Sequence, residues 1–106
     1  MASIGIRSAS DISAALTASV ERGGLVIDEK DLSPDFFDLK TGFAGQVLQK
    51  FVSYRTKLAV IVRDASVHGG RFGELMHEHR IHPIVRFFSA EQSARTWLSQ
   101  MPSGKR

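Results

Sequence analysis

A chain of 106 residues, 42% hydrophobic and 24% charged, builds one hydrophobic core rather than two and falls among ordinary globular sequences. It contains no cysteine, which excludes disulfides, thiolate metal sites and cysteine nucleophiles. The net charge of +3 comes from 14 Lys and Arg residues scattered along the chain, with no basic stripe interleaved with aromatics, so nucleic acid is not the expected partner.

Residues 3–7 read as a short edge strand. Ser10 is placed to cap a first helix over residues 11–22, and Asp11 in its first turn complements the helix dipole. Ile12, Ala15, Leu16, Ser19 and Val20 give that helix one narrow apolar face, and Gly23-Gly24 stops it. A short buried strand follows over residues 25–28, then a charged loop over 29–32. Ser33-Pro34-Asp35 is a helix start, with a capping hydroxyl, proline at the first helical position and an acid in the first turn. Gly42 and Gly45 weaken a helix interior, so either one continuous helix or a single turn and a kink precedes Gly42.

From residue 43 to 55 the pattern is regular. Phe43, Val47 and Phe51 form one row, and Ala44, Leu48 and Val52 the next, which predicts a helix with one face against a sheet. The continuous apolar run 57–62 is the expected central strand, covered on both faces. A glycine-rich turn at 67–70 leads into a helix carrying Phe72, Leu75, Met76 and His79 on its apolar face. The fourth apolar run, 84–88, is interrupted by Arg86. Ser89 caps a last helix over 90–101, with Gln92 at the capping-box position and Ala94, Trp97, Leu98 and Met101 inward. Strands alternating with helices imply right-handed crossovers and an α/β fold: one layer of three or four mostly parallel strands packed by helices. Residues 1–101 form the expected domain and 102–106 a tail. The N-terminus lacks a basic segment followed by an apolar one, and no run approaches the roughly 18 apolar residues of a membrane span, so the expected location is cytoplasmic.

Ligands of open parallel sheets bind beyond the carboxyl ends of the strands. Here those ends are residues 28–33, 63–70 and 88–89. Asp38-Leu39-Lys40-Thr41-Gly42 follows the first of them. If Gly42 opens the long helix, Thr41 is its cap and Lys40 adds positive charge, which suits a phosphate or carboxylate; the alternative is a helix kink and cap alone. The glycine–lysine–hydroxyl spacing of a P-loop is absent. Glu74, His77, His79 and His82 lie close together, but His77 and His79 point about 200° apart on a helix, so no metal is expected. No serine–histidine–acid spacing is present. Asp64 and His68, after the central strand, are the best-placed titratable pair. In Phe36-Phe37 adjacent rings cannot share one face, so one enters the core and its neighbour covers the seam or joins an interaction patch.

LSPDFFDLKTGFAGQVLQKFVSYRTKLAVIV, residues 32–62, resembles the signature segment of a bacterial family, domain-of-unknown-function family 4180. VRFFSAEQSARTWL, residues 85–98, has that family's aromatic strand followed by a helix. Between them RDASVHGG stands where the family has a glycine–aspartate turn, so a ligand contact there would differ in this member. The order of elements is also similar to the sulfate-transporter and anti-sigma-factor-antagonist (STAS) domains. In those domains a hydroxyl near a glycine is phosphorylated by a partner kinase, which binds the same surface. Gly42 matches that glycine and Thr41 the hydroxyl beside it, while Lys40 stands two before the glycine, where the phosphorylated residue is usual.

The leading expectation is therefore a non-catalytic regulatory domain of STAS-like type. It would bind a protein partner through Phe36, Phe37, Asp38, Lys40, Thr41 and Gly42. The alternative is a small-molecule or nucleotide-binding protein, or a minor enzyme, in which Arg63, Asp64 and His68 join Lys40 and Thr41 at the strand-end edge. No cofactor is expected, and a homodimer is compatible with either reading.

Overall fold

In the computed structural model the described residues are 5–64, 68–79 and 82–99. Chain order is α1 (Ala9–Arg22), β1 (Leu25–Asp28), a 3-10 turn (Glu29–Asp31), α2 (Pro34–Phe37), a second 3-10 turn (Leu39–Thr41), α3 (Phe43–Ser53), β2 (Leu58–Ile61), α4 (Gly70–Glu78), β3 (Val85–Phe88) and α5 (Glu91–Ser99). The three strands are all parallel, in the order β1-β2-β3, with Leu25 beside Leu58 and Leu58 beside Val85. This is the α/β layer expected from the alternation of elements. The expected tail, 102–106, and Met101 of the last helix lie outside the described residues.

The strand order and the usual handedness together decide which face the connecting helices cover. Two successive right-handed crossovers that advance in one direction place both connections on the same face of the sheet. Residues of α1, α3 and α4 accordingly pack on Leu25, Ile27, Leu58, Val60, Val85 and Phe87. The opposite face, with Ala59, Ile61 and the partly buried Val26 and Phe88, is covered by Ala94, Trp97 and Leu98 of α5. β2 is buried at every position, while β1 and β3 alternate. Arg86, the break in the fourth apolar run, sits on the α5 face with its guanidinium 5.0 Å from the Trp97 ring centroid.

The first helix starts earlier than its sequence suggests. Its N-cap is Ser8, not Ser10. Asp11 is the reason, because its carboxylate reaches back to accept from the N–H groups of Arg7 (2.9 Å) and Ser8 (3.3 Å), completing a capping box two residues before the expected cap. Val20 is 61% exposed rather than inward. At about 100° per residue it lies on the flank of a stripe centred on Ile12, Ala15 and Ser19. The described part of the expected N-terminal strand makes a single parallel bridge, Ile6 to Leu32, and does not join the sheet. Residues 3–4 lie outside the described residues.

Ser19 is the polar member of that stripe, and it is buried. Its hydroxyl donates to the Lys57 carbonyl (2.7 Å) and pairs with the Thr56 hydroxyl (2.5 Å), pinning α1 to the entry of β2. Ser19→Ala takes its partner from the buried Thr56 hydroxyl and leaves the Lys57 carbonyl with the Leu25 N–H alone, so it should cost about 1–3 kcal/mol in denaturant unfolding. A neutral result would mean that water replaces the serine. Among the described residues no helix is long and apolar enough to cross a membrane.

Candidate functional site

Parallel pairing brings distant segments to one edge. Asp28 is in register with Ile61, so residues leaving β1 and β2 emerge side by side at the carboxyl end of the sheet. Arg63 places its Nη1 2.7 Å from Asp28 Oδ2 and 3.8 Å from Glu29 Oε2, and its backbone N–H donates to Glu29 Oε2 at 3.1 Å. Burial pushes the Asp28 carboxyl up, but the Lys30 N–H and the Arg63 guanidinium outweigh it and hold that carboxyl below its ordinary value. Stability from this pairing is present above the unfolded-state value and lost as pH falls through the lowered one.

Glu29 holds the next residue in place. Its Oε1 lies 3.0 Å from His68 Nε2. A carboxylate has only lone pairs to offer, so Nε2–H is the donor, and Nδ1 is the remaining polar atom of the ring. The imidazole lies flat on Phe37, with centroids 3.8 Å apart and planes at 11°. Phe72 meets the rings of both Phe37 (5.0 Å) and His68 (5.6 Å) edge-on. A hydrogen bond and ring stacking therefore fix His68 from two directions.

Local sequence explains why Phe37 is available. Ser33-Pro34 starts α2, which is a single turn of four residues ending before Asp38. Phe36 turns into the core at 0% exposure, and Phe37 stays half-buried above it. Asp38 then caps the second 3-10 turn by accepting from the Lys40 N–H at 3.1 Å. Gly42 takes φ 76° and ψ 0°, ending that turn and opening α3 in one residue, a left-handed conformation that suits glycine. The Thr41 hydroxyl is spent locally. It lies 2.8 Å from the Asp35 carbonyl and 2.9 Å from that of Asp38, to which it donates, and it accepts from the Phe43 N–H at 3.1 Å.

A groove of about 290 Å³ runs beside the stack, lined among others by Phe37, Lys40, His68, Gly69, Arg71 and Phe72. A second groove, about 430 Å³, opens on the other side against Leu32 and Pro34 and shares Phe37, Asp38 and His68. Lys40 and Arg71 are exposed and make no ion pair among the described residues. The nearby acids Asp28 and Glu29 are, by contrast, already matched by Arg63 and His68.

The structure thus brings Phe37, Asp38, Lys40 and His68 together on one groove. Phe36 lies beneath it, Thr41 and Gly42 shape the adjoining turn, and Arg63 acts from behind through Glu29. Asp64 is exposed and lines neither groove. Sequence reasoning missed Glu29, Arg71 and Phe72. Glu29 read as one loop acid among several, and Phe72 as an ordinary core position. The strand-end rule carried the available signal, since Glu29 directly follows β1. Among the described residues no group of three or more His, Asp or Glu is arranged to hold a metal ion.

The family described as Domain of unknown function (DUF4180) matches residues 2–98, and the chain belongs to that family. No curated protein and no solved structure matches the chain.

Proposed function

We propose that this member of the family is a binding domain that seats a small organic anion, a carboxylate or a phosphate ester, in the groove beside the Phe37–His68 stack. The observation that carries the reading is the stack itself: His68, pinned by Glu29, joins the two candidate segments into one site at the carboxyl edge of a parallel sheet. The groove offers unmatched positive charge at Lys40 and Arg71, an apolar wall at Phe37 backed by the buried Phe72, and an oriented imidazole. Its volume lies near the lower end of small-molecule sites, which suits a ligand of few atoms.

A thermal-shift panel of inorganic phosphate, sugar phosphates, nucleotides and dicarboxylates tests this. A ligand at a hundred times its dissociation constant adds about 2.7 kcal/mol of stability, a readily measured shift. A panel in which no compound shifts the wild-type midpoint counts against the reading.

The second groove favours one further reading, a regulatory protein partner. An extended segment of that partner would cross Phe37 from one groove to the other. The phosphoregulated version of that idea has little support, because the Thr41 hydroxyl already serves three backbone groups. A Thr41→Glu variant would accordingly report on the turn before it reported on a partner.

A further inference from the structure

At the start of β3 a histidine does the work of a turn. His82 Nδ1 lies 3.0 Å from the Ile84 nitrogen and 3.2 Å from the Val85 nitrogen, and both backbone N–H groups donate to it. Two donors converging on one ring nitrogen require that nitrogen to carry no proton. The ring is therefore the neutral tautomer with its hydrogen on Nε2. The His82 carbonyl also accepts from Arg86 Nε at 2.8 Å, so one residue ties down the first turn of the strand through both its backbone and its side chain.

The position of these bonds matters because β3 is at the edge of the sheet. The β2–β3 ladder includes the bonds Leu58 N–H to Ile84 O and Val62 N–H to Phe88 O. In a parallel ladder of this register the Val85 N–H points away from β2, and His82 supplies the acceptor it would otherwise lack. A capped edge resists pairing with other chains, and an uncapped one invites it.

We infer that His82 is a proton-operated latch on the edge strand: neutral, it caps Ile84 and Val85, and on protonation it releases both N–H groups. A protonated imidazole has no lone pair at Nδ1 and would set a third N–H against the two already there. The charged and titratable groups facing it among the described residues are His79 at the C-cap of α4, whose ring centroid is 5.1 Å away, and Arg86 of β3. Both are basic, so each opposes a second positive charge. Burial is the larger influence; together with His79 and Arg86 it holds the His82 ring below the ordinary histidine value. The sign follows: a lowered folded value means the unfolded chain takes up the proton first. The latch's stabilisation is present above the unfolded value and lost as pH falls through the lowered one. Nothing in this depends on what occupies the Phe37–His68 groove.

The test uses the whole chain and two variants. His82→Asn keeps an acceptor oxygen near the Nδ1 position and removes the titration, while His82→Ala removes the acceptor. Amide hydrogen-exchange protection of Ile84 and Val85 is read by nuclear magnetic resonance from neutral to mildly acidic pH, corrected for intrinsic exchange. In wild type the protection of both amides should fall as His82 titrates, and in His82→Asn it should stay flat. In His82→Ala the amides should exchange faster than wild type by roughly fivefold at neutral pH, the ratio for one net hydrogen bond. Unchanged wild-type protection across the His82 titration would overturn the proposal. A parallel fall in wild type and His82→Asn would overturn it too, since the loss would then belong to another group.

Discussion

Replacing Phe72 with alanine should lower stability by about 3–5 kcal/mol, the range for truncating a fully buried phenylalanine. The side chain is 0% exposed and lies within 6 Å, centroid to centroid, of Phe36 (5.9 Å), Phe37 (5.0 Å), His68 (5.6 Å) and Phe87 (5.7 Å). Few neighbours can collapse into the space, because Phe36 is itself buried and Phe87 belongs to a strand. Domains of this size are stable by only about 5–15 kcal/mol, so the loss is a large part of the whole. At roughly 4–8 °C per kcal/mol the melting midpoint should fall by more than about 10 °C. Phe72→Leu should recover part of it, since the leucine side chain refills most of the space that alanine leaves empty, though not the edge-on ring contacts. A Phe72→Ala variant that melts within a degree or two of wild type would mean that this aromatic cluster is not packed as described.

The second large effect is on binding. Lys40→Glu together with Arg71→Glu should abolish recognition of any anion identified in the thermal-shift panel while leaving the fold intact. A hydrogen bond to a charged group contributes about 1.5–3 kcal/mol, so each cation removed weakens binding by roughly tenfold to a hundredfold, and reversal adds repulsion. Stability should barely move, because both side chains are exposed and neither is in an ion pair among the described residues. His68→Gln should act differently. It keeps a donor near Glu29 but loses the flat ring on Phe37, so a partial loss of affinity is expected where aromatic stacking orients the ligand. Equal affinity in the charge-reversed variant and wild type would remove Lys40 and Arg71 from the site.

The framework was legible because its signals are local and periodic. The runs at 25–28, 57–62 and 84–88 have the length and apolar character of buried strands between longer helical patterns, and the spacing of Val47, Leu48 and Phe51 fixes the inner face of α3. Ser8 was missed as a cap because Ser10-Asp11 is also a good start, and only the reach of the Asp11 carboxylate to the N–H groups of Arg7 and Ser8 decides between them. The site was half legible. Lys40 and His68 stand together in the ligand-binding alternative, but Phe37 belongs only to the protein-binding surface and is separated from His68 by the whole of α3 and β2. Their meeting depends on the parallel register of Asp28 with Ile61 and on the Glu29–His68 bond, neither of which leaves a periodic trace. His82 was likewise grouped with its histidine neighbours as a rejected metal set. Its role is a contact with the backbone two and three residues ahead.

The most direct test of the central claim is a nuclear magnetic resonance titration of the labelled full chain with the best anion from the panel, repeated on the Lys40→Glu, Arg71→Glu variant. The account predicts saturable shifts concentrated in the amides of Leu39, Lys40, His68, Gly69, Arg71 and Phe72, absent from the variant. Shifts centred instead on the α5 face around Arg86, Phe88 and Trp97, or shifts of equal size in the variant, would contradict it.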